Sequence, residues 1–287
     1  MIYLLLSVIA SSLIFITFKL FERFNINILQ AIVVNYCIAF VTGIIAYRGS
    51  VTTSQLPQLG WFYYTLALGI LFIIVFNLMA ITTQRSGLSV VSVATKMSVV
   101  IPILFGLIYY NESLGVLKLI GIFIALIAVF LTSIKSKQGI TINRKLILFP
   151  ILVFIGSGII DTSIKFLEDS YVAHNDVPLF SAIIFLAAAI VGIFALSIQA
   201  IRGKFKFEFK NIIAGICLGI PNYFSIYFLV KTLRSDILES SGIFTVNNVA
   251  IVILSTLAGI VLFREKLLPK NWLGILLAIT SIILIAW

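Results

Sequence analysis

The sequence predicts an all-α polytopic membrane protein, with ten transmembrane helices in two inverted five-helix repeats. Three observations predict it. Of 287 residues, 61% are hydrophobic and only 10% charged, with a mean hydropathy of +1.20; a soluble domain carries roughly a quarter charged residues. The apolar residues come in long runs rather than amphipathic stripes, and ~20 helical residues cross a hydrocarbon core of ~30 Å. Finally, one short pattern occurs twice. Glu112 precedes Gly121 by nine positions and Glu265 precedes Gly274 by the same nine, at an offset of 153 residues.

The spans follow in order. The first, 2–18, begins at Ile2 with no basic segment before it and no small-residue cleavage site after it, so it is expected to be retained rather than removed as a signal peptide. The second and third, 28–47 and 61–83, carry Asn35 and Asn77 inside apolar runs. The fourth, 88–109, contains Lys96 and Pro102, and the fifth, 115–134, contains Gly121. The polar stretch KSKQGITINRK, 135–145, then divides a first repeat, 1–134, from a second, 146–287. The sixth span, 146–167, holds Gly156-Ser157-Gly158 and Asp161, and the seventh is 177–200. The eighth, 211–230, holds Gly215, Gly219, Pro221 and Asn222, and the ninth, 241–262, holds Asn247 and Asn248. The tenth, 272–287, ends on Trp287, an interfacial residue type.

Five spans per half is an odd number, so the second copy must enter the membrane with the opposite orientation. Inverted repeats of this kind recur in secondary transporters, with the substrate site near the midplane. The pairs Lys19/Glu22 and Lys165/Glu168 close the first span of each half at the same spacing of three, which supports the pairing.

The net charge of +10 is a matter of orientation and not of nucleic-acid binding. Fourteen Lys and Arg fall in the odd-numbered loops and five at the even-numbered ones, with Lys96 inside a span. The positive-inside rule therefore puts the odd loops in the cytoplasm and both termini outside, in a plasma or inner membrane. The segment RGKFKFEFKN, 202–211, alternates charged and aromatic residues; it reads as a juxtamembrane segment meeting anionic lipid, with a strand as the alternative. Cys37 and Cys217 lie in apolar runs and read as small buried hydrophobes rather than a disulfide or metal pair.

The motifs PILFGLIYYNESLGVLKLIGIFIALIAVFL and LSTLAGIVLFREKLLPKNWLGILLAITSIILI close the two halves. With ten spans in two halves, they resemble the drug/metabolite transporter superfamily, specifically its EamA type, over essentially the whole chain. That resemblance implies a basket of ten helices. Spans three, four, eight and nine, with one and six, would line a central cavity, and five and ten would pack behind. It implies transport of a small molecule and leaves the substrate open.

Lys96 is the strongest single-residue signal for chemistry. It lies roughly 4 Å to the cytoplasmic side of the midplane at 1.5 Å per residue. A lysine there costs about 2.5–3.5 kcal/mol on insertion scales, so it is expected to face a cavity or a partner. It serves either a substrate- or proton-linked role or a structural one beside an internal carboxylate. Asp161 is the obvious partner, although about 11 Å of depth separates the two backbones; Lys165, at i+4, is an easier one for Asp161. Asn77, Asn222, Asn247 and Asn248 complete the candidate substrate-binding set, with interhelical hydrogen bonding as the plainer account of such amides. Pro102 and Pro221 are candidate hinges, because each removes an N–H and clashes with the carbonyl four residues back, at Ser98 and Cys217. Glu112 and Glu265 fall beside loops and read as residues that cap or brace the next helix.

The expected function is secondary transport of a small polar or anionic metabolite, such as an amino acid, by alternating access, with a proton or ion as a possible coupling partner. The alternative is a cationic multidrug exporter. Proton-coupled efflux in the small multidrug resistance family uses a glutamate in the first helix, and 2–18 has no acidic residue. A membrane-embedded enzyme is a remote third reading, since the single histidine, His174, lies in a loop and no nucleophile–base set falls in the spans. No metal, cofactor or ATP use is expected, and no GxxxxGK[ST] loop occurs.

Overall fold

A computed structural model of the chain describes residues 2–47, 49, 51, 53–109, 115–133, 144–173, 176–203, 205–233 and 240–286. Glu112, linker residues 135–143, His174 and Trp287 lie outside them, as do the side chains of Lys165 and Glu168. The described residues form α-helices and no strand: α1 (Ile2–Arg23), α2 (Ile28–Ala46), α3 (Phe62–Ser86), α4 (Leu88–Met97), α5 (Val100–Tyr109), α6 (Val116–Ser133), α7 (Arg144–Tyr171), α8 (Val177–Ile201), α9 (Phe209–Leu233), α10 (Ser240–Phe263) and α11 (Pro269–Ala286). A short 3-10 turn, Thr53–Gln58, precedes α3. Segment 205–208 has no regular structure, so the alternation in RGKFKFEFKN does not make a strand.

Eight of the described stretches are long and apolar enough to cross a membrane, with α4 and the start of α5 counted together as Leu88–Gly106. The apolar parts of α6 and α11, Leu119–Thr132 and Pro269–Leu284, are shorter. The helices run further than hydropathy indicates. α1 continues past 18 to Arg23, and α7 runs from Arg144 to Tyr171, because polar residues at a helix end keep the backbone hydrogen bonds while leaving the apolar layer.

The predicted fourth span is not one helix. It breaks at Ser98–Val99, so that α4 and α5 are separate segments. The cause is Pro102, whose ring excludes the carbonyl of Ser98 from the usual bond. That carbonyl is not left open: Ile101 N–H donates to it at 2.9 Å in a tighter turn, and Ser98 Oγ donates to the Thr95 carbonyl at 2.6 Å. α9, by contrast, continues unbroken through Pro221.

The chain forms two compact units. The first comprises Met1–Leu20, Leu78–Ile159 and Phe224–Trp287. Its core is built from α4, α6, α10 and α11, with Val93, Met97, Ala125, Ala128, Val252 and Ala278 all buried. α6 and α11 pack antiparallel at close range. Near the start of α6, the Gly121 carbonyl accepts from Ser281 Oγ at 2.8 Å; at the other end, a Cβ on Gly274 would lie 2.9 Å from Thr132 N. The duplicated glycines therefore both serve this one contact. Gly158 does similar work elsewhere in the unit, since a Cβ there would collide with the Ile101 side chain.

The second unit comprises Phe21–Asn77 and Ile160–Tyr223. α2 and α8 pair through Gly43, whose Cβ would sit 3.0 Å from the Ala182 Cβ. Gly215 and Gly219 let α9 approach α2: a Cβ on Gly215 would lie 2.7 Å from the Ala31 carbonyl, and one on Gly219 3.0 Å from that of Asn35. The close-contact role of this small-residue pair is thus evident. Tyr36, fully buried, donates to the Phe72 carbonyl at 2.9 Å and stacks on Phe185. Cys37 is half-buried and Cys217 exposed, so the latter is not the buried hydrophobe expected; it sits on an outward face of α9.

Candidate functional site

Lys96 lies one residue before the end of α4, two before the Ser98–Val99 break, and is half-buried. Its neighbours Ala94 and Met97 are fully buried, with Met97 in the α4/α6/α10/α11 core. Asn247 and Asn248 lie on α10 in the same unit. Asn247 is buried, and its Oδ1 has no hydrogen-bond partner among the described residues. Asn248 is half-buried. A buried amide oxygen without a donor costs about 1–3 kcal/mol, so it is a position where a polar guest is favoured.

Asn77, Asp161 and Asn222 belong to the second unit. Asn77 Nδ2 donates to its own helix at the Ile73 carbonyl, 2.7 Å away. Asn222 Nδ2 donates to Asn35 Oδ1 at 3.1 Å, tying α9 to α2. Both amides therefore have the interhelical or intrahelical roles that buried amides commonly take. Asp161 is exposed on α7. Of the two candidate hinges, Pro102 coincides with a helix break and Pro221 does not.

Glu265, read from the sequence as a helix brace, anchors a well-formed polar constellation. At one end of the first unit, α10 finishes with Arg264 in the left-handed region at φ 52°, which turns the chain so that Glu265 N–H donates to the Gly259 carbonyl at 3.0 Å. This places the Glu265 carboxylate at the start of α4, where Leu88 N–H donates to Oε1 at 2.9 Å. Gly87, at φ +105°, and Gly259 both leave room for it: a Cβ on either would stand within 2.8 Å of a carboxylate oxygen. Glu265 thus caps α4, not the helix that follows it in sequence. A carboxylate at a helix N-terminus satisfies an orphan N–H and meets the positive end of the macrodipole.

Asn271 organises the same corner. Its Oδ1 accepts from Leu268 N–H at 2.9 Å, and its Nδ2 donates to the Leu131 and Thr132 carbonyls at 3.1 and 3.0 Å. One amide therefore caps the start of α11 and the end of α6. Lys19 Nζ donates to the Gln84 carbonyl at 3.3 Å. Between these groups lies a cavity of about 120 Å³, lined by Lys19, Ser86, Ser89, Glu265, Lys266 and Asn271 among others. Ser86 and Ser89 are buried, and neither Oγ has a hydrogen-bond partner among the described residues. The sequence signal was the R-S-G-L-S run at 85–89 followed, far away, by R-E-K at 264–266. Nothing in their spacing brings them together.

The second unit has a polar clasp at one end. Asn27 Oδ1 caps α2 by accepting from Gln30 N–H at 3.1 Å, and Asn27 N–H donates to Asn211 Oδ1 at 3.0 Å. Asn211 Nδ2 donates to Gln30 Oε1 at 2.7 Å, and Gln30 Nε2 to the Lys206 carbonyl at 2.9 Å. This ties the loop after α1 to the loop before α9. Another end of the unit joins the even loops, where Tyr47 hydroxyl donates to Asp176 Oδ1 at 3.0 Å. In the first unit, Lys231 Nζ lies over the rings of Tyr227 and Tyr3, at 4.9 and 5.2 Å from their centroids.

Residues 1–134 match the EamA-like transporter family model, the span read above as the first repeat. The chain is 28% identical to an uncharacterized protein of Haemophilus influenzae over 284 residues, covering 97% of this chain and 95% of that protein. It also resembles a solved structure described as a crystal structure of a protein, with a TM-score of 0.57 and 15% identity, covering 97% of this chain and 95% of the other. At that identity the likeness is one of fold. The first 134 residues are thus similar to that family, and eight of the described stretches are long and apolar enough to cross a membrane.

Proposed function

We propose that this chain belongs with the EamA-like transporters and is a secondary transporter that moves a small polar or anionic metabolite, such as an amino acid, by alternating access. Its architecture is then ten spans in two inverted repeats, with odd loops in the cytoplasm and both termini outside a plasma or inner membrane. The antiparallel packing of α6 with α11 and of α2 with α8 supports the inversion. These are the pairs that correspond between halves, and an inverted duplication turns corresponding helices against each other. The clustering of odd-loop residues and the helix ends beside them supports the topology: Lys19, Ser86, Thr132 and Glu265 in one unit, Asn27 and Lys206 in the other.

The observation that carries the substrate class is Lys96. A half-buried lysine inside an apolar span, just before a helix break, brings positive charge to a depth where charged side chains are rare and commonly mark a solute path. The carboxylate or phosphate of a solute is the chemistry that such a charge attracts. Asn247, buried on the contacting helix α10 with an open Oδ1, offers a complementary acceptor for an amine or hydroxyl. Asn77, Asp161, Asn222 and Asn248 remain in the proposed set. The break at Pro102 provides the bend that opening and closing requires, and Pro221, inside the continuous α9, is retained as the second candidate hinge. A proton or ion supplies the driving force in this reading.

The test is uptake into proteoliposomes. Lys96→Ala is expected to abolish transport of anionic solutes, with Lys96→Arg restoring part of it, while cationic dyes are not carried. Carriage of cationic dyes by the wild type, unchanged in Lys96→Ala, would instead establish the multidrug reading.

A further inference from the structure

The polar clasp of the second unit joins two loops that the transport reading does not use. Residues 24–27 connect α1 to α2, and 202–208 connect α8 to α9; each of these four helices contains a stretch long and apolar enough to cross a membrane. With those helices crossing, the clasped loops lie together at one face of the bilayer. Local structure makes the first loop tight. Asn25, in the left-handed region at φ 50°, ends α1, and Ile26 N–H donates to the Phe21 carbonyl at 2.9 Å. Asn27 N–H then reaches Asn211 Oδ1, 184 positions away, and Gln30 Nε2 reaches the Lys206 carbonyl. Gln30 and Asn211 are buried and bonded to each other, so satisfied amides hold the two loops side by side.

What these loops leave outward is apolar and basic. Phe24, Phe207 and Phe209 are 58%, 66% and 67% exposed, although each lies at or beyond a helix end. Arg23, Arg202, Lys206 and Lys210 are exposed on the same loops and helix ends, against Glu22 and Glu208. Glu208 is paired with Lys210 at 3.0 Å.

We propose that this composite face is a docking surface for anionic lipid: the three phenylalanine rings enter the acyl boundary of one leaflet, and Arg23, Arg202 and Lys206 bind headgroup phosphates. A basic and aromatic face beside a bilayer gains both from burying its rings and from the negative surface potential. In the topology proposed above this is the cytoplasmic face, where anionic lipids concentrate. Taken alone, 202–211 is one short stretch beside lipid; the fold adds Arg23 and Phe24 to it and fixes both loops to α2. Lipid bound here holds the starts of α2 and α9 together. The surface does not depend on which solute is carried.

The purified full chain in neutral detergent is titrated with short-chain phosphatidylglycerol, with short-chain phosphatidylcholine as the control, and its melting temperature is followed. Phosphatidylglycerol alone is expected to give a saturable rise. Arg23→Gln and Lys206→Gln, on different loops, are each expected to weaken half-saturation by about 5-fold, the worth of one basic residue at an anionic surface. Lys270→Gln, at an exposed position on α11 in the first unit, leaves the response unchanged. In a second arm, Phe207→Trp is placed in nanodiscs of brominated phosphatidylglycerol. Its fluorescence is expected to be quenched beyond that of the three tryptophans of the wild type. Equal rises with both lipids, a loss that Lys270→Gln shares, a loss confined to one of the two loops, or a Phe207→Trp chain without added quenching would each overturn the surface.

Discussion

Glu265 shows how much one side chain does at the residue scale. Its carboxylate closes the N-terminus of α4 from the far end of the chain, held by the left-handed turn at Arg264 and seated between two glycines. Replacing it by alanine removes both a cap and a favourable charge–dipole contact, at about 1–2 kcal/mol. Glu265→Gln keeps an oxygen for Leu88 N–H and is expected to lose less. Melting temperatures in a single detergent check the order wild type, Gln, Ala; equal values for all three would remove the cap from the account. The nine-residue Glu–Gly spacing was legible in the sequence, but its purpose was not. The glutamate was expected to brace the helix that follows, whereas its partner N–H is 177 positions away.

Helices offer a different balance. Hydropathy located them well, because in lipid every backbone polar group must be paired within the segment and an apolar run has little choice but to be helical. It misjudged their ends, since Lys19 and Glu22 extend α1 beyond the apolar layer without leaving the helix. Proline carries a real signal whose outcome depends on context: Pro102 divides a span in two, and Pro221 leaves α9 continuous. Pro102→Ala restores an N–H and removes the clash with the Ser98 carbonyl. It is expected to join α4 and α5 and to slow turnover more than it changes half-saturation, in proteoliposome kinetics. Unaltered turnover would make the break an incidental kink. The small pair Gly215/Gly219 was read correctly as a contact, because only a missing Cβ allows two helix backbones to come so near.

The whole molecule is where the proposed duplication has its consequence. Proposed inversion of the halves places both termini on one side of the membrane, outside. A C-terminal alkaline phosphatase fusion is therefore expected to be active and a C-terminal fluorescent reporter of cytoplasmic folding dark; the opposite pair of results would overturn either the count of ten or the orientation. Candidate site residues were legible as residue types and not as a set. Lys96 and Asn247 fall in one compact unit and Asn77, Asp161 and Asn222 in the other. Of these, Asn222 is spent on Asn35 and Asn77 on its own helix. Depth along a helix can be counted from sequence at ~1.5 Å per residue, but the direction a side chain faces depends on which neighbour packs against it.

By itself, then, the sequence determined that this chain lies in a membrane, where its helices run and that its closing motif is repeated. Those are local quantities: hydrophobicity summed over about 20 residues, and identity at a fixed offset. Only the tertiary structure decided that Glu265 caps α4 and that the two repeated glycines lie toward opposite ends of one α6–α11 contact. Only it decided that Ser86, Ser89, Lys19 and Lys266 surround a cavity. Each of these depends on helix ends distant in sequence arriving at one place. The apolar effect brings helices to the membrane without specifying neighbours; close packing at glycines and the pairing of buried polar groups select them.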